Sequence, residues 1–145
     1  MDASPPKIVI DTQVVMDWLV FGDARVAPLA RAVEAGRAIW IGRESMLAEL
    51  RHVLGRGVAA AWQPDLAHIE QTFARHCRMI AATPAPAVRL ACRDPDDQQF
   101  IDLALAEGAD WLLSRDKAVL ALRRRALALG LNIATPQTWI QQLPA

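Results

Sequence analysis

Short apolar runs alternate along the chain with longer stretches in which apolar residues recur at helical spacing. The first run, residues 7–10, ends in Ile8, Val9 and Ile10, three consecutive β-branched residues directly before Asp11. Such a run is typical of a strand that is buried on both faces, as in a parallel sheet. Further short runs predict strands at 38–41, 78–81, 109–114 and 131–134.

Helical spacing predicts the elements between these strands. The predicted helices cover residues 24–35, 46–54, 64–77, 98–107 and 117–129, and a short terminal helix runs from 135 to 143. Asp23 and Ser45 stand at positions that favour helix N-caps, and glycines such as Gly36 follow several predicted helix ends. The pattern assigns no element to the apolar run 14–19, and it predicts a loop or a polyproline II stretch at 83–86.

This alternation of strands and helices determines the predicted fold class. It implies an α/β protein, a three-layer α/β/α sandwich with a mainly parallel central sheet covered by helices on both faces. The length of 145 residues predicts one domain, residues 1–145.

Composition indicates the setting of the protein rather than its activity. Lys plus Arg and Asp plus Glu number 16 each, so a site for a polyanion has to be a local basic patch. Cys77 and Cys92 have no CxxC or CxxH partner, which predicts reduced thiols. No signal peptide and no apolar run of membrane-spanning length is visible, so we expect a soluble cytoplasmic protein without membrane contact. The hydrophobic fraction of 53% predicts either one dense core or an extra apolar interface, and we expect a homodimer.

Carboxylates follow two of the predicted strands. If both strands are central and parallel, Asp11 and Asp116 lie together at the sheet edge where α/β proteins bind ligands. Asp97 begins a helix that leads into the second of these strands, where it either complements the helix dipole or points into the same crevice. Glu49 lies in a helix whose neighbours look buried, so it is either solvent-facing or held at a site.

Four converging carboxylates would repel one another and raise each other's pKa values. A divalent cation relieves this repulsion, and ligands that are all oxygen select hard ions such as Mg²⁺ or Mn²⁺. The reaction expected at such a site is metal-assisted attack of water on a phosphodiester.

Four short motifs resemble those of the PIN-domain family. They are Val-Ile-Asp-Thr-Gln-Val at 9–14, Leu-Ala-Glu-Leu at 47–50, Asp-Pro-Asp-Asp-Gln-Gln-Phe at 94–100 and Leu-Ser-Arg-Asp-Lys at 113–117. The resemblance covers nearly the whole chain and is closest to the branch described as toxin components of toxin–antitoxin systems. It implies a Rossmann-like sandwich, a ribonuclease that uses Mg²⁺ or Mn²⁺, RNA as the substrate, and an antitoxin protein as a partner.

The resemblance also implies roles for individual residues. The family's acidic quartet, which binds metal and performs catalysis, is matched by Asp11, Glu49, Asp97 and Asp116. Ser114 matches a hydroxyl position that supports the site, and Thr12 is expected to support it as well. Asp94 and Asp96 suit turn and N-cap roles beside Pro95, and Asp96 is retained as a supporting residue near the metal.

Three positions depart from the usual family pattern: Gln13 and Gln98 stand where Asn is usual, and Ala118 where an acidic residue is common. Because the groups around metal ligands orient them, these changes favour an alternative, a catalytically weak or inactive PIN domain that acts as an RNA- or protein-binding module. A third interpretation is an aspartyl-phosphate enzyme with Asp11 as its nucleophile. That pattern requires a second Asp at position 13, which Gln13 occupies.

Basic residues near the predicted site are candidates for binding substrate phosphates. They are Arg43, Arg93 and Arg115. The densest basic run, residues 123–125, predicts a solvated helix face rather than an RNA contact, because at most two of three successive helical residues share a face.

Overall fold

The computed structural model describes residues 4–81 and 85–142, which form a five-stranded sheet with helices packed on both faces. The strands are β1 (Lys7–Ile10), β2 (Ile39–Gly42), β3 (Cys77–Met79), β4 (Trp111–Leu113) and β5 (Asn132–Ala134). They lie in the order β3-β2-β1-β4-β5, and every pairing is parallel. The predicted α/β/α sandwich with a mainly parallel sheet is therefore confirmed.

Helices and short 3-10 turns connect the strands. The helices are α1 (Thr12–Leu19), α2 (Ala27–Glu34), α3 (Glu44–Gly55), α4 (Leu66–His76), α5 (Gln98–Ala106), α6 (Lys117–Leu120), α7 (Arg123–Ala128) and α8 (Pro136–Gln142). The 3-10 turns are Ala24–Val26, Ala60–Trp62 and Pro95–Asp97. Within the described residues, none of the helices combines the length and the apolar character that spanning a bilayer requires.

β1 lies at the centre of the sheet, so its neighbours determine what meets at its carboxyl end. It pairs with β2 through Ile8 and Trp40, and with β4 through Ile10 and Leu113. The chain builds from β1 to β3 on one side and then crosses to β4 and β5 on the other, so the strand order reverses between β1 and β4. Ligands of open α/β sheets bind in the crevice outside the carboxyl ends of the strands at such a switch point. Asp11, the residue after β1, stands at this crevice.

Alternation of side chains along the strands divides the hydrophobic core into two parts. Ile8 and Ile10 pack on one face of the sheet with residues of α1, α2, α4 and α8, whereas Val9 packs on the other face with residues of α5, α6 and α7. The first part includes Trp40, which is 2% exposed and whose ring centroid lies 4.6 Å from that of Phe73. The sheet is thus buried on both faces, as its continuous apolar strands predict.

Two helix starts differ from the predictions for reasons visible in the hydrogen bonds. The apolar run after Asp11 forms α1, because the Asp11 side chain accepts a hydrogen bond from Val14 N at 2.9 Å and caps the helix. Helix α3 begins at Glu44, so Ser45 is not its N-cap. The Ser45 hydroxyl instead donates to Gln99 Oε1 on α5 at 3.3 Å.

Other boundaries also differ. The helix predicted at 117–129 is two helices, α6 and α7, and that predicted at 24–35 begins with a 3-10 turn before Pro28 in the first turn of α2. β3 is shorter than predicted and begins one residue earlier. The predicted loop residues Thr83 and Pro84 and the predicted helix end at Leu143 lie outside the described residues.

Gly42, at the end of β2, marks a tight contact in the core. A Cβ atom on Gly42 would lie 2.9 Å from Cys77 Sγ. We expect Gly42→Ala to lower the free energy of unfolding by about 1–3 kcal/mol, because an overfilled core forces its neighbours to shift. Cys77→Ala removes the sulfur, so in that background Gly42→Ala should lower the free energy of unfolding by less than about half as much. Urea denaturation of the four proteins measures both costs, and equal costs would rule out this contact as the cause.

Candidate metal centre

An open cleft of about 320 Å³ lies outside the carboxyl ends of β1 and β4. The residues that line it are Asp11, Thr12, Gln13, Glu49, Asp97, Phe100, Arg115 and Asp116. All four carboxylates selected from the sequence therefore face one cleft, although they come from distant parts of the chain. Their roles as metal ligands and catalytic residues stay predictions.

Asp11 is the most buried of these carboxylates, with 3% of the residue exposed. One of its oxygens accepts a hydrogen bond from Val14 N and the other accepts one from the Ser114 hydroxyl. Burial raises the pKa of Asp11 from 3.8 to about 6; the two hydrogen bonds oppose this rise, and the charges of Asp116 and Asp17 add to it. Ionised Asp11 is therefore costly in the protein alone, and a nearby positive charge would relieve that cost.

Ser114 connects Asp11 to the loop that carries Asp116. The Ser114 side chain is fully buried, donates to Asp11 and accepts a hydrogen bond from the Asp116 backbone N at 3.0 Å. Asp116 in turn caps α6, because its Oδ1 accepts from Ala118 N at 2.8 Å. One hydroxyl therefore holds two candidate ligands in a defined relation across the ends of β1 and β4.

Asp97 ends the 3-10 turn that leads into α5, and its carboxylate is the least satisfied of the group. Its Oδ2 is buried and has no hydrogen-bond partner among the described residues. Desolvation, a hydrogen bond shared with the Asp116 carboxyl group and the charges of Asp116, Asp94 and Asp11 raise the pKa of Asp97 to about 7. A buried carboxylate oxygen without a donor is a position that a cation or a water molecule can satisfy.

Asp94 belongs to the same acidic cluster. Among the described residues, one oxygen each from Asp94, Asp97 and Asp116 lies within 4.8 Å of the others. Asp94 also caps the 3-10 turn, since its Oδ1 accepts from Asp96 N at 3.0 Å. Side chains three residues apart align in a 3-10 turn, which brings Asp94 beside Asp97, whereas Asp96 is exposed. The sequence predicts Asp96 as the supporting residue, whereas it is Asp94 that lies beside Asp97 and Asp116.

Glu49 forms the opposite wall of the cleft. Its Oε2 accepts hydrogen bonds from Thr12 Oγ1 at 3.4 Å and from Gln99 Nε2 at 2.5 Å. Desolvation raises the pKa of Glu49, and the charges of Asp96 and Asp94 add to the rise. Gln99, which no sequence motif marks as part of the site, also accepts a hydrogen bond from Ser45, one turn before Glu49 on the same face of α3. The position of Glu49 thus depends on the packing of α3 against α5.

Arg115 lines the cleft, but its charge is already paired. Its guanidinium forms an ion pair with Asp17, whose side chain is 5% exposed. Gln13 donates to the other oxygen of Asp17 at 3.2 Å. Asp17 therefore ties Arg115 to α1. The sequence signal for this buried partner is a carboxylate at an otherwise apolar position of a short helix.

The remaining predicted residues lie outside the lining of the cleft. Arg43 stands at the N-cap position of α3, and Arg93 is exposed in the loop before the acidic 3-10 turn. Gln98 fixes that loop, because it donates to Leu90 O at 2.9 Å and accepts from Cys92 N at 2.8 Å. Gln98, which departs from the family pattern, thus fixes the loop before the acidic 3-10 turn through these two hydrogen bonds.

Comparison with known proteins identifies one matching family. A family model described as PIN domain matches residues 7–118, a segment that contains every residue of the cleft. No curated protein matches the chain, and no solved structure matches it.

The burial of Asp11 predicts a pH-dependent stability. Because the pKa of about 6 in the folded protein exceeds the ordinary 3.8, protonation of Asp11 favours folding; this contribution is complete below pH 3.8 and is lost as the pH rises through 6. In EDTA, we expect Asp11→Asn to raise the free energy of unfolding by about 1–3 kcal/mol at pH 8, with a smaller gain towards pH 4.

Urea denaturation across this pH range measures the gain. Glu34→Gln is the matched control, because Glu34 is an exposed carboxylate at the end of α2, away from the cleft, and its removal should leave the pH profile unchanged. Loss of stability in Asp11→Asn at pH 8 would contradict the account of Asp11.

Proposed function

Because the family match spans most of the chain, from residue 7 to 118, the chain belongs to the PIN-domain family. On this premise we propose that it is a ribonuclease that hydrolyses RNA phosphodiester bonds with Mg²⁺ or Mn²⁺. PIN domains are generally nucleases and typically use divalent metals. The observation that carries the proposal is the acidic cluster of Asp94, Asp97 and Asp116 at the switch point of the sheet.

The donor set fits a hard divalent cation. Three carboxylates approach within 4.8 Å of one another, and a buried oxygen of Asp97 has no partner among the described residues. Asp94, Asp97 and Asp116 would hold the ion, and Asp11 and Glu49 would complete the acidic surroundings. When bound, such an ion supplies Lewis-acid polarisation of the phosphate and a more acidic water.

The chain's own residues would orient the reactants around this centre. In the hydrolysis, the water oxygen bonds to phosphorus while the bond from phosphorus to the ribose oxygen of the leaving strand breaks, and that ribose oxygen takes a proton from solvent water. Glu49, which Thr12 and Gln99 hold on the cleft wall, would accept the proton that the water loses. Ser114 would keep Asp11 and Asp116 in their relative positions during the reaction.

We further propose that the ribonuclease is the toxin of a toxin–antitoxin pair and acts in the cytoplasm. The support is the resemblance of its four motifs to the toxin branch of the family. A homodimer or an antitoxin protein would also need an apolar surface, and Val58 and Trp62 are 63% and 58% exposed.

Cleavage of mixed RNA in the presence of Mn²⁺ tests the ribonuclease. Asp116→Asn retains the acceptor that caps α6 but removes one charge of the cluster. Loss of a group that only surrounds the metal ligands typically lowers metal affinity or activity about 10–100-fold. We therefore expect loss of this proposed ligand to lower the cleavage rate at least about 100-fold. Asp11→Asn should also lower it.

The matched control in this assay is Glu34→Gln, which should cleave RNA at the wild-type rate. Equal rates for the wild type, Asp11→Asn and Asp116→Asn would overturn the assignment of the site, whatever the absolute activity.

The second candidate function is a PIN domain that binds RNA or protein without cleaving. Two observations favour it: Gln13 is directed to Asp17 rather than to Asp11, and Ala118 supplies no carboxylate beside Asp116. The same assay separates the candidates, because a binding module would retain RNA but leave it intact in Mn²⁺.

A further inference from the structure

The charges of the chain are distributed very unevenly around Asp116. All 16 acidic residues lie at or before this position, so none follows it, whereas Lys117 and the arginines at 123, 124 and 125 do. A protein with a formal net charge of zero therefore has a purely cationic C-terminal part. The boundary between the two parts lies at the acidic cluster itself.

These cations line a concave surface. A shallow depression of about 470 Å³ between α6 and α7 is lined by Lys117, Leu120, Ala121, Arg123 and Arg124, with no carboxylate. We call these five residues the basic depression. Its three cationic side chains are exposed, and no ion pair joins them to another residue in the described ranges 4–81 and 85–142.

The basic depression adjoins the candidate metal centre. Lys117 directly follows Asp116, and the four residues of α6 span only about 6 Å at 1.5 Å per residue. The turn at Ala121 and Leu122 then brings the start of α7 to the same depression. The cations of the basic depression therefore begin at the residue that directly follows Asp116 of the acidic cluster.

We propose that the basic depression binds the backbone of single-stranded RNA next to the phosphate that is cleaved, an inference that rests on the proposed ribonuclease function. The acidic cluster repels a polyanion, and the zero net charge provides no long-range attraction, so productive binding requires a local cationic surface. Arg115 does not meet this need, because Asp17 holds it. The three cations of the basic depression, which form no ion pair among the described residues, meet it. For Arg123 and Arg124, this inference revises the prediction of a solvated face, whereas Arg125 keeps it.

The test is the salt dependence of RNA binding. Each phosphate contact to a single strand contributes a slope of about 0.7 in log Kd against log salt, so removing three cations should lower the slope by about 2. The test variant is Lys117→Gln/Arg123→Gln/Arg124→Gln. The probe is a fluorescently labelled single-stranded RNA in EDTA, which prevents cleavage, and anisotropy is measured over a range of salt concentrations.

The control variant removes the same charge elsewhere, as Arg31→Gln/Arg37→Gln/Arg125→Gln. Arg31 and Arg37 are exposed near the end of α2, before β2, and Arg125 lies on α7 outside the basic depression. We expect the test variant to bind at least about tenfold more weakly at low salt, with the reduced slope, while the control keeps most of the affinity and slope of the wild type.

Two results would overturn the proposal: equal slopes for the test and control variants, or no RNA binding by the wild type. Failure of the ribonuclease proposal is a different result, the absence of Mn²⁺-dependent cleavage by a wild type that binds RNA with the full slope. That result would leave the basic depression as the RNA contact of a non-cleaving module.

Discussion

The burial of neighbouring carboxylates at one edge of the sheet is the constraint on which the candidate site depends. The strand order reverses between β1 and β4, so the carboxyl ends of these strands bring Asp11 and Asp116 to one crevice, and the 3-10 turn before α5 adds Asp94 and Asp97. Burial, together with the neighbouring charges, raises the pKa of Asp11 to about 6 and that of Asp97 to about 7. Hydrogen bonds such as that from Ser114 fix the carboxylates without removing their charge. An arrangement that opposes folding in this way is characteristic of functional sites, and it supports the proposal of a cation at this one.

Much of this arrangement could be predicted from the sequence, because it depends on local patterns. Continuous β-branched runs identify strands buried on both faces, and a carboxylate directly after such a strand lies at the ligand-binding edge, which places Asp11 and Asp116. The remainder depends on geometry that a linear pattern does not contain. Asp94 joins the cluster only because a 3-10 turn aligns it with Asp97, and Gln99 reaches Glu49 only because α3 packs against α5. The break between α6 and α7 likewise falls in a stretch whose alanines and leucines suit a single helix.

The acidic side chains of the chain end at Asp116, and the charged side chains of the segment that follows it are all cationic. In the proposed ribonuclease, the acidic part would hold the metal ion and activate water, while the basic depression would hold the RNA backbone. Because the two parts meet at adjacent residues, a change in the loop that joins β4 to α6 would alter both binding and cleavage. The ion pair between Asp17 and Arg115 secures this loop to α1.

The proposed ribonuclease requires that Asp94, Asp97 and Asp116 share one divalent cation. The most direct measurement is the anomalous difference density of a crystal grown with Mn²⁺. We expect a peak bonded to carboxylate oxygens of Asp97 and Asp116, with Asp94 on the same ion directly or through a water. We also expect the peak to disappear in Asp97→Asn. A crystal that takes up Mn²⁺ at another position while these three carboxylates carry no density between them would contradict the account.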